Sequence, residues 1–507
     1  MDRRTWLKMA GAATAATVLP RVALVQERQQ PVGFSEDWLD AFAKALSEQA
    51  YRPPEKRLHR SLGGLSYEQY RDIRYKPDRA LWRDDNLPFR VEMFHTGGSF
   101  YSFPVEIFTV ESGRASPVSY GPDQFTFGPL VEAPPPESSS GFAGFRVLTE
   151  LNKPSVFDDF LSFLGASYFR ARGAGQTFGQ SARGLAINTG QTGGEEFPLF
   201  RSFWIERPMP GMPRITVYAL LDSISATGRY KFVATPGRDT LIDVEAVIFP
   251  RRALSYVGVA PLTSMFFFGP NQPPKRTDFR PRVHDSDTLS IRTGAGEAIS
   301  RALINPERLQ FSVFIDRNPK GYGLFQDTRL FSDFQDLNAQ YESRPSLWVE
   351  PLGEWGGGAV ELIELPAREE TNDNIVTFWR PANGLEAGQA HRFQYRLHWG
   401  WDAPIRNDQA TVSQTRLGQT RGGSPLFVVD FAKSDTCGIC TQGALTPDLS
   451  ATSGEIKNAA LVRNPILGGH RLTFEYEPQG LAPADLRCVL RVEGKPASET
   501  WIYRWAP

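Results

Sequence analysis

Three short stretches concentrate side chains that can move protons or grip a polar polymer. The first is Arg280–Pro281–Arg282–Val283–His284–Asp285–Ser286–Asp287. The second runs from Tyr341 through Glu342, Ser343, Arg344, Pro345, Ser346, Leu347 and Trp348 to Pro351. The third is Glu369–Glu370–Thr371–Asn372–Asp373–Asn374. Carboxylates on loops between rigid strands are parts that a hydrolase uses. Cleaving a sugar linkage needs two of them: one protonated, to give its proton to the leaving oxygen, and one ionised, to draw a proton from water. Flat rings can stack on sugar faces, and Tyr322, Tyr341, Trp348, Trp355, Trp399 and Trp401 are candidates by type and neighbourhood. Each residue also has a plainer use. A Trp in a β-sandwich is more often core than platform. Asp285, Asp287 and Asp373 can cap turns. His284 suits a structural hydrogen bond better than a metal, because the six histidines form no HxH or HExxH set. Glu195 and Glu196 read as a solvated loop.

The elements around these stretches are mainly strands. Ile215–Ser223, the run RYKFVATPG, TLIDVEAVIFPRR, LQFSVFID and AVELIELP alternate apolar and polar residues, and short turns join them. Such succession predicts antiparallel sheets and a large β-sandwich. Three helices are predicted: one opening at Ser35, one at Ser66 with Gln69 completing a capping box, and one from Ser155 to Gly165. His391–Trp401 closes the larger domain. The segment 402–423 reads as a linker with a mobile loop. The later strands LFVVDF, LRCVLRVEG and TWIYRWAP suit an immunoglobulin-like sandwich.

Composition narrows the function further. The net charge is −1 with both signs interspersed, so no nucleic-acid face or polybasic membrane patch stands out. The start, MDRRTWLKMAGAATAATVLP, has the layout of a twin-arginine export signal, placed over residues 1–30. Its apolar stretch is too short for a span, so the periplasm is the expected compartment. Three cysteines make no framework; a local Cys437–Cys440 bridge, or a link from one of them to Cys488, is the expectation. No nucleotide fingerprint, P-loop or nucleophile elbow occurs, and neither cofactor nor metal is expected.

The runs SYFRARGAGQTFGQSARGLAI, EEFPLFRSFWIERP, VYALLDSISATGRYKFVATPGRDT and GVAPLTSMFFFGPNQ are long and distinctive. With HDSDTLS, RPSLWVEP and ETNDNIV, they resemble the osmoregulated periplasmic glucan biosynthesis proteins G and D over the whole mature chain. The twin-arginine leader looks like the D branch. The resemblance implies an all-β protein: a large N-terminal antiparallel β-sandwich similar to mutarotases over 31–401, and an immunoglobulin-like β-sandwich within 402–507. It implies an inverting endo-β-1,2-glucanase, with Asp373 as general acid and Asp285 as a base that reaches its water through a relay. It sets Tyr341, Arg344 and Glu370 beside the sugar groove; Trp348 and Trp355 are added as binding rings by residue type and neighbourhood. Glu342 departs from the family pattern, where Asp is expected. The implied partners are β-1,2-glucan and a membrane glucan synthase, and the oligomeric state stays open, with a homodimer one option. The alternatives are a non-catalytic glucan-binding factor and, by fold analogy alone, a sugar epimerase or mutarotase.

Overall fold

A computed structural model describes residues 32–506, apart from 100, 403, 405–407, 435, 436 and 442. The export signal expected over 1–30 therefore lies outside the described residues. No helix among those described is long and apolar enough to cross a membrane.

Alternating strands assemble two large sheets. The first has sixteen strands. It runs from Val32–Gly33 and Arg114–Pro117 through Leu199–Glu206, Ile215–Asp222, Ala226–Thr235 and Thr240–Pro250 to His391–Gly400 and Ser346–Pro351. The second has ten, including Phe142–Lys153, Val156–Leu164, Tyr168–Ala171, Ser181–Arg183, Val257–Ser264, Ile375–Pro381 and Gly357–Glu364. Pairing is antiparallel except where Leu199–Glu206 meets Glu106–Glu111 and Ala298–Ala302 meets Thr500–Trp505. Alternate residues of both sheets fill one core. Phe163, Phe169 and Phe232 pack within it at 5.0 to 5.5 Å between ring centres.

The first sheet continues past Ala298–Ala302 into Thr500–Trp505, Ala484–Val492 and Thr446–Ala451. Against these three strands packs a four-stranded sheet in the order Thr411–Gln419, Pro425–Ala432, Gly469–Glu477, Glu455–Asn464. In chain order, the strands of the two layers run first-second-fifth-fourth and third-sixth-seventh, which is the immunoglobulin arrangement. Its own core stacks Phe427 on Phe474 at 5.1 Å, with Trp501 edge-on. Cys437 and Cys440 are bridged, and Cys488 is a buried free thiol.

The first two predicted helices form. Ser35 accepts from the Trp38 amide at the start of Glu36–Ser47, and Ser66 with Gln69 closes a capping box on Tyr67–Arg71. The third does not: Val156–Leu164 is a strand paired to Phe142–Lys153. Its Phe160, Leu161 and Phe163 face a core that only a strand in that register can reach, and tertiary pairing overrides the local stripe. Within the expected linker, Thr411–Gln419 is also a strand. It is an edge strand with one neighbour, so little of it needs to be apolar.

Candidate functional site

Residues 285, 341, 344, 370 and 373 come together on one side of the large sandwich. The strand end at Val283–His284 presents Asp285, whose backbone is held at both groups. Its amide donates to the Met265 carbonyl (2.8 Å), and its carbonyl accepts from Gln326 Nε2 (2.9 Å). The same Gln326 amide donates to the Tyr341 carbonyl at 2.8 Å, tying this strand to the short helical turn Tyr341–Ser343. Arg344 follows that turn. Its guanidinium pairs with Asp285 Oδ1 and lies 4.4 Å from the centre of the Tyr341 ring. Nothing larger than glycine fits at 179, because a Cβ there would stand 2.8 Å from Arg344 Cβ. Glu370 accepts from Arg280 (2.7 Å), which also binds Asp278 and Asp336.

Asp373 sits on the loop before Ile375–Pro381. Its neighbour Asn374 is buried and pins that loop: Oδ1 accepts from the Phe266 amide, and Nδ2 donates to the Phe266 carbonyl, each at 2.9 Å. Asn305 braces the other end by exchanging hydrogen bonds with the Ala367 amide and carbonyl. Asp373 itself keeps an exposed surface, yet protein surrounds it densely enough to cost it solvation. Asp373 is thus open to solvent on one side and crowded by protein on the other. Loss of solvation pushes its carboxyl above the usual range; Arg170 pulls it down, Asp285 pushes it up again, and Arg344 opposes that. Asp285 and Asp373 therefore lie within each other's field. The pair sets a carboxyl raised above its usual range in the field of a second carboxyl that is held by an arginine. Among the described residues, no three of His, Cys, Asp and Glu gather as ligands for one ion.

Comparisons with known proteins identify the family. Residues 34–505 match the family model described as "Periplasmic glucan biosynthesis protein, MdoG". A protein of Rhodopseudomonas palustris (strain BisA53) named "Glucans biosynthesis protein G" is 47% identical over the full length of both chains. One of the same name from Bradyrhizobium diazoefficiens is 46% identical, again over both full lengths. A Vibrio cholerae serotype O1 relative, also so named, is 46% identical over 93% of this chain and 87% of its own. The chain belongs to the periplasmic glucan biosynthesis protein family. These relatives carry the G name, whereas the leader arginines resemble the D branch; the joint D/G family is what they share with the sequence expectation.

The aromatic expectations fare differently in this family member. Trp348 is 2% exposed, packed against Phe325 and over Gly321, where a Cβ would stand 2.3 Å from the indole. Trp355 is buried among Trp379, Phe393 and Tyr395, and its indole N–H donates to the Gln394 carbonyl at 3.2 Å. Both are core residues with no free ring face, which corrects their assignment to sugar binding. Trp348 is covered by the neighbouring strand Gly321–Phe325, and Trp355, on the loop after Ser346–Pro351, folds back into the core. Tyr322 and Trp399 are fully buried too, while Trp401 is partly open beneath Arg329. Glu195 and Glu196 form no solvated loop: Glu195 pairs with buried Arg183, and Glu196 accepts from Ser225. The His284 ring nitrogens have no hydrogen-bond partner among the described residues; the ring stacks on Phe266 with Asp287 Oδ2 3.7 Å from Nε2, and loss of solvation lowers its pKa to about 4.

Three residues that act at the site fall outside the sequence expectations: Asn305 and Gln326, which hold its loops, and Arg170, which lies in the field of Asp373. Asn305 stands in a stretch that reads only as loop. Gln326 and Arg170 meet the site residues across a large sequence separation.

Proposed function

We propose that this protein works in the periplasm as an inverting endo-β-1,2-glucanase that shapes the backbone of periplasmic glucans. The observation that carries this reading is the contrast between two carboxyls in one cleft. Asp373 is pushed toward its neutral form, while Asp285 is engaged by the Arg344 cation. Asp373 gives its proton to the glycosidic oxygen as the bond to the anomeric carbon breaks. Water attacks that carbon from the opposite face, and its proton passes to Asp285. Asp285 is 4% exposed and one of its oxygens already holds Arg344, which favours transfer through an intervening hydroxyl or water over direct contact. Glu370 and Tyr341 border the sugar, and Arg344 holds the Asp285 carboxyl in place through its ion pair. The family's description as periplasmic supports the compartment.

The test is incubation of the mature protein with linear β-1,2-glucan, followed by proton NMR of fresh products. Shorter chains whose new reducing ends appear first as the α-anomer are the expected result. β-Anomers first would mean retention. The relatives are named for biosynthesis, which favours one second reading: a factor that holds nascent chains for a membrane glucan synthase. That reading expects binding with no shortening.

A further inference from the structure

In the immunoglobulin-like sandwich, Glu455–Asn464 and Gly469–Glu477 are joined by a tight turn, Pro465–Ile466–Leu467–Gly468. The turn is pinned from within. Asn464 Oδ1 accepts from the Ile466 and Leu467 amides at 3.2 and 3.4 Å, and Asn464 Nδ2 donates to Asp430 Oδ1 at 3.2 Å. Asp430 is fully buried, and accepts from Arg471 at 2.8 Å on each oxygen and from Arg416 at 2.7 Å. On this fixed turn Ile466 is 92% exposed, Leu467 42%, and Val462, opposite Arg471 in register, 52%. Aliphatic side chains held out in water contribute no burial to the fold. Cations surround them. Arg463 is exposed and close enough to His470 to push its pKa down. Lys433 is exposed, and a Cβ at Gly468 would lie 3.9 Å from Lys433 Cβ. Asp430 answers two guanidiniums with one carboxylate, so that group stays positive. From Ile456 to Phe474 the chain has no acidic residue.

Two aliphatic side chains at the point of a turn, with cations behind them and no acid among them, match the surface of an anionic lipid bilayer. The apolar tips enter the acyl boundary, and the guanidinium and ammonium groups meet lipid phosphates. A protein partner suits a broader apolar patch with a rim of mixed polarity, whereas this tip is narrow and its rim has one sign of charge. We propose that the turn Pro465–Gly468 docks the protein on an anionic membrane surface, with Ile466 and Leu467 inserted and Arg463, Arg416, Arg471 and Lys433 facing the headgroups. The inference stands apart from the glucanase reading, because Asp285 and Asp373 belong to the other sandwich and docking requires no cleavage.

The experiment sediments the mature protein with vesicles of phosphatidylcholine alone and of an equal mixture of phosphatidylcholine and phosphatidylglycerol. Wild type should sediment with the mixed vesicles far more than with phosphatidylcholine, and added salt should release part of it. Ile466→Asp and Arg463→Glu should each weaken binding to mixed vesicles about tenfold. Both positions are exposed, so the variants should fold, and thermal melts check this. Ile315→Asp is the control: Ile315 is 86% exposed on the strand Gln310–Arg317 of the large sandwich, and its loss should leave binding unchanged. Insertion is read directly with a polarity-sensitive dye on Ile466→Cys. Cys437 and Cys440 are bridged and Cys488 is buried, so the dye goes to position 466. Its emission should shift to the blue with mixed vesicles and stay in place with phosphatidylcholine. No sedimentation with mixed vesicles would overturn the docking. So would an equal loss in Ile315→Asp, or binding that neither falls in Ile466→Asp nor shifts the dye. Self-association that Ile466→Asp abolishes, without vesicle binding, would assign the tip to a protein contact instead.

Discussion

The His284–Asp287 segment carries two aspartates, two residues apart, that meet opposite surroundings. Asp285 turns to the cleft, faces the Arg344 guanidinium and lies in the field of Asp373. Asp287 turns away and is buried. It accepts from Arg282 at 3.3 Å and from the Asp327 amide, and Asp327 takes the same arginine. Burial, then the Asp287 carboxylate, push the Asp327 carboxyl well above the usual range. Both pairs thus set two carboxyls against each other beside an arginine. Their surroundings differ: Asp285 stands beside Arg344 and Tyr341, whereas Asp287 is buried beside Arg282 and His284. Asp287 and Asp327 line a small recess with Val412, Ser413, Gln414 and Thr415. A perturbed carboxyl is a catalytic candidate only together with groups that bind and orient a substrate.

The comparison breaks most sharply at Asp373. Asp373→Asn keeps the shape and removes the transferable proton. It should lower kcat on linear β-1,2-glucan by about 10³-fold, with a melting temperature close to wild type. A cut rate that survives Asp373→Asn would take the acid role from this residue.

The closed pair should answer in stability instead. Arg282→Met leaves Asp287 and Asp327 facing each other with their shared arginine gone. Breaking a buried ion pair in this way costs about 3–5 kcal/mol, read in a denaturant melt near neutral pH. The loss should shrink as the pH falls, because protonating one carboxyl relieves the repulsion. Activity per folded molecule should change far less than in Asp373→Asn. An equal collapse of kcat would mean that the two pairs act as one system.

Much of this architecture is legible in the order of the amino acids, and the misses have physical causes. Alternation marks Ile215–Asp222, Thr240–Pro250 and His391–Gly400, because each buries one face or both within a long sheet. It fails at Val156–Leu164, where a helix-like stripe and a half-buried strand can be written with the same residues. It fails again at Thr411–Gln419, whose polar edge position leaves little to alternate. In the cleft, Asp285, Tyr341, Arg344, Glu370 and Asp373 are visible as dense polar motifs. Trp348 and Trp355 mislead because residue type does not tell which face of a sheet is covered. Arg170 is out of reach for a related reason: it meets the field of Asp373 only through the fold, and nothing local in SYFRARG encodes that.

The smallest expected effect is also the most discriminating. If Asp373 is the general acid proposed above, it works only while protonated, so activity should fall as the pH rises through its carboxyl pKa. Loss of solvation raises that value, and Arg170 is the first neighbour opposing the rise. Removing the guanidinium leaves Asp373 protonated to higher pH. The alkaline limb of kcat/KM should therefore move upward in Arg170→Ala and stay near its original place in Arg170→Lys, which keeps a cation there. The limb should not respond to Arg282→Met, because Arg282 is no part of what sets Asp373. A downward shift in Arg170→Ala would show that the limb belongs to another group. An equal shift in Arg282→Met would show that the buried pair and the open one share protons, and the distinction drawn between Asp285 and Asp287 would fall with it.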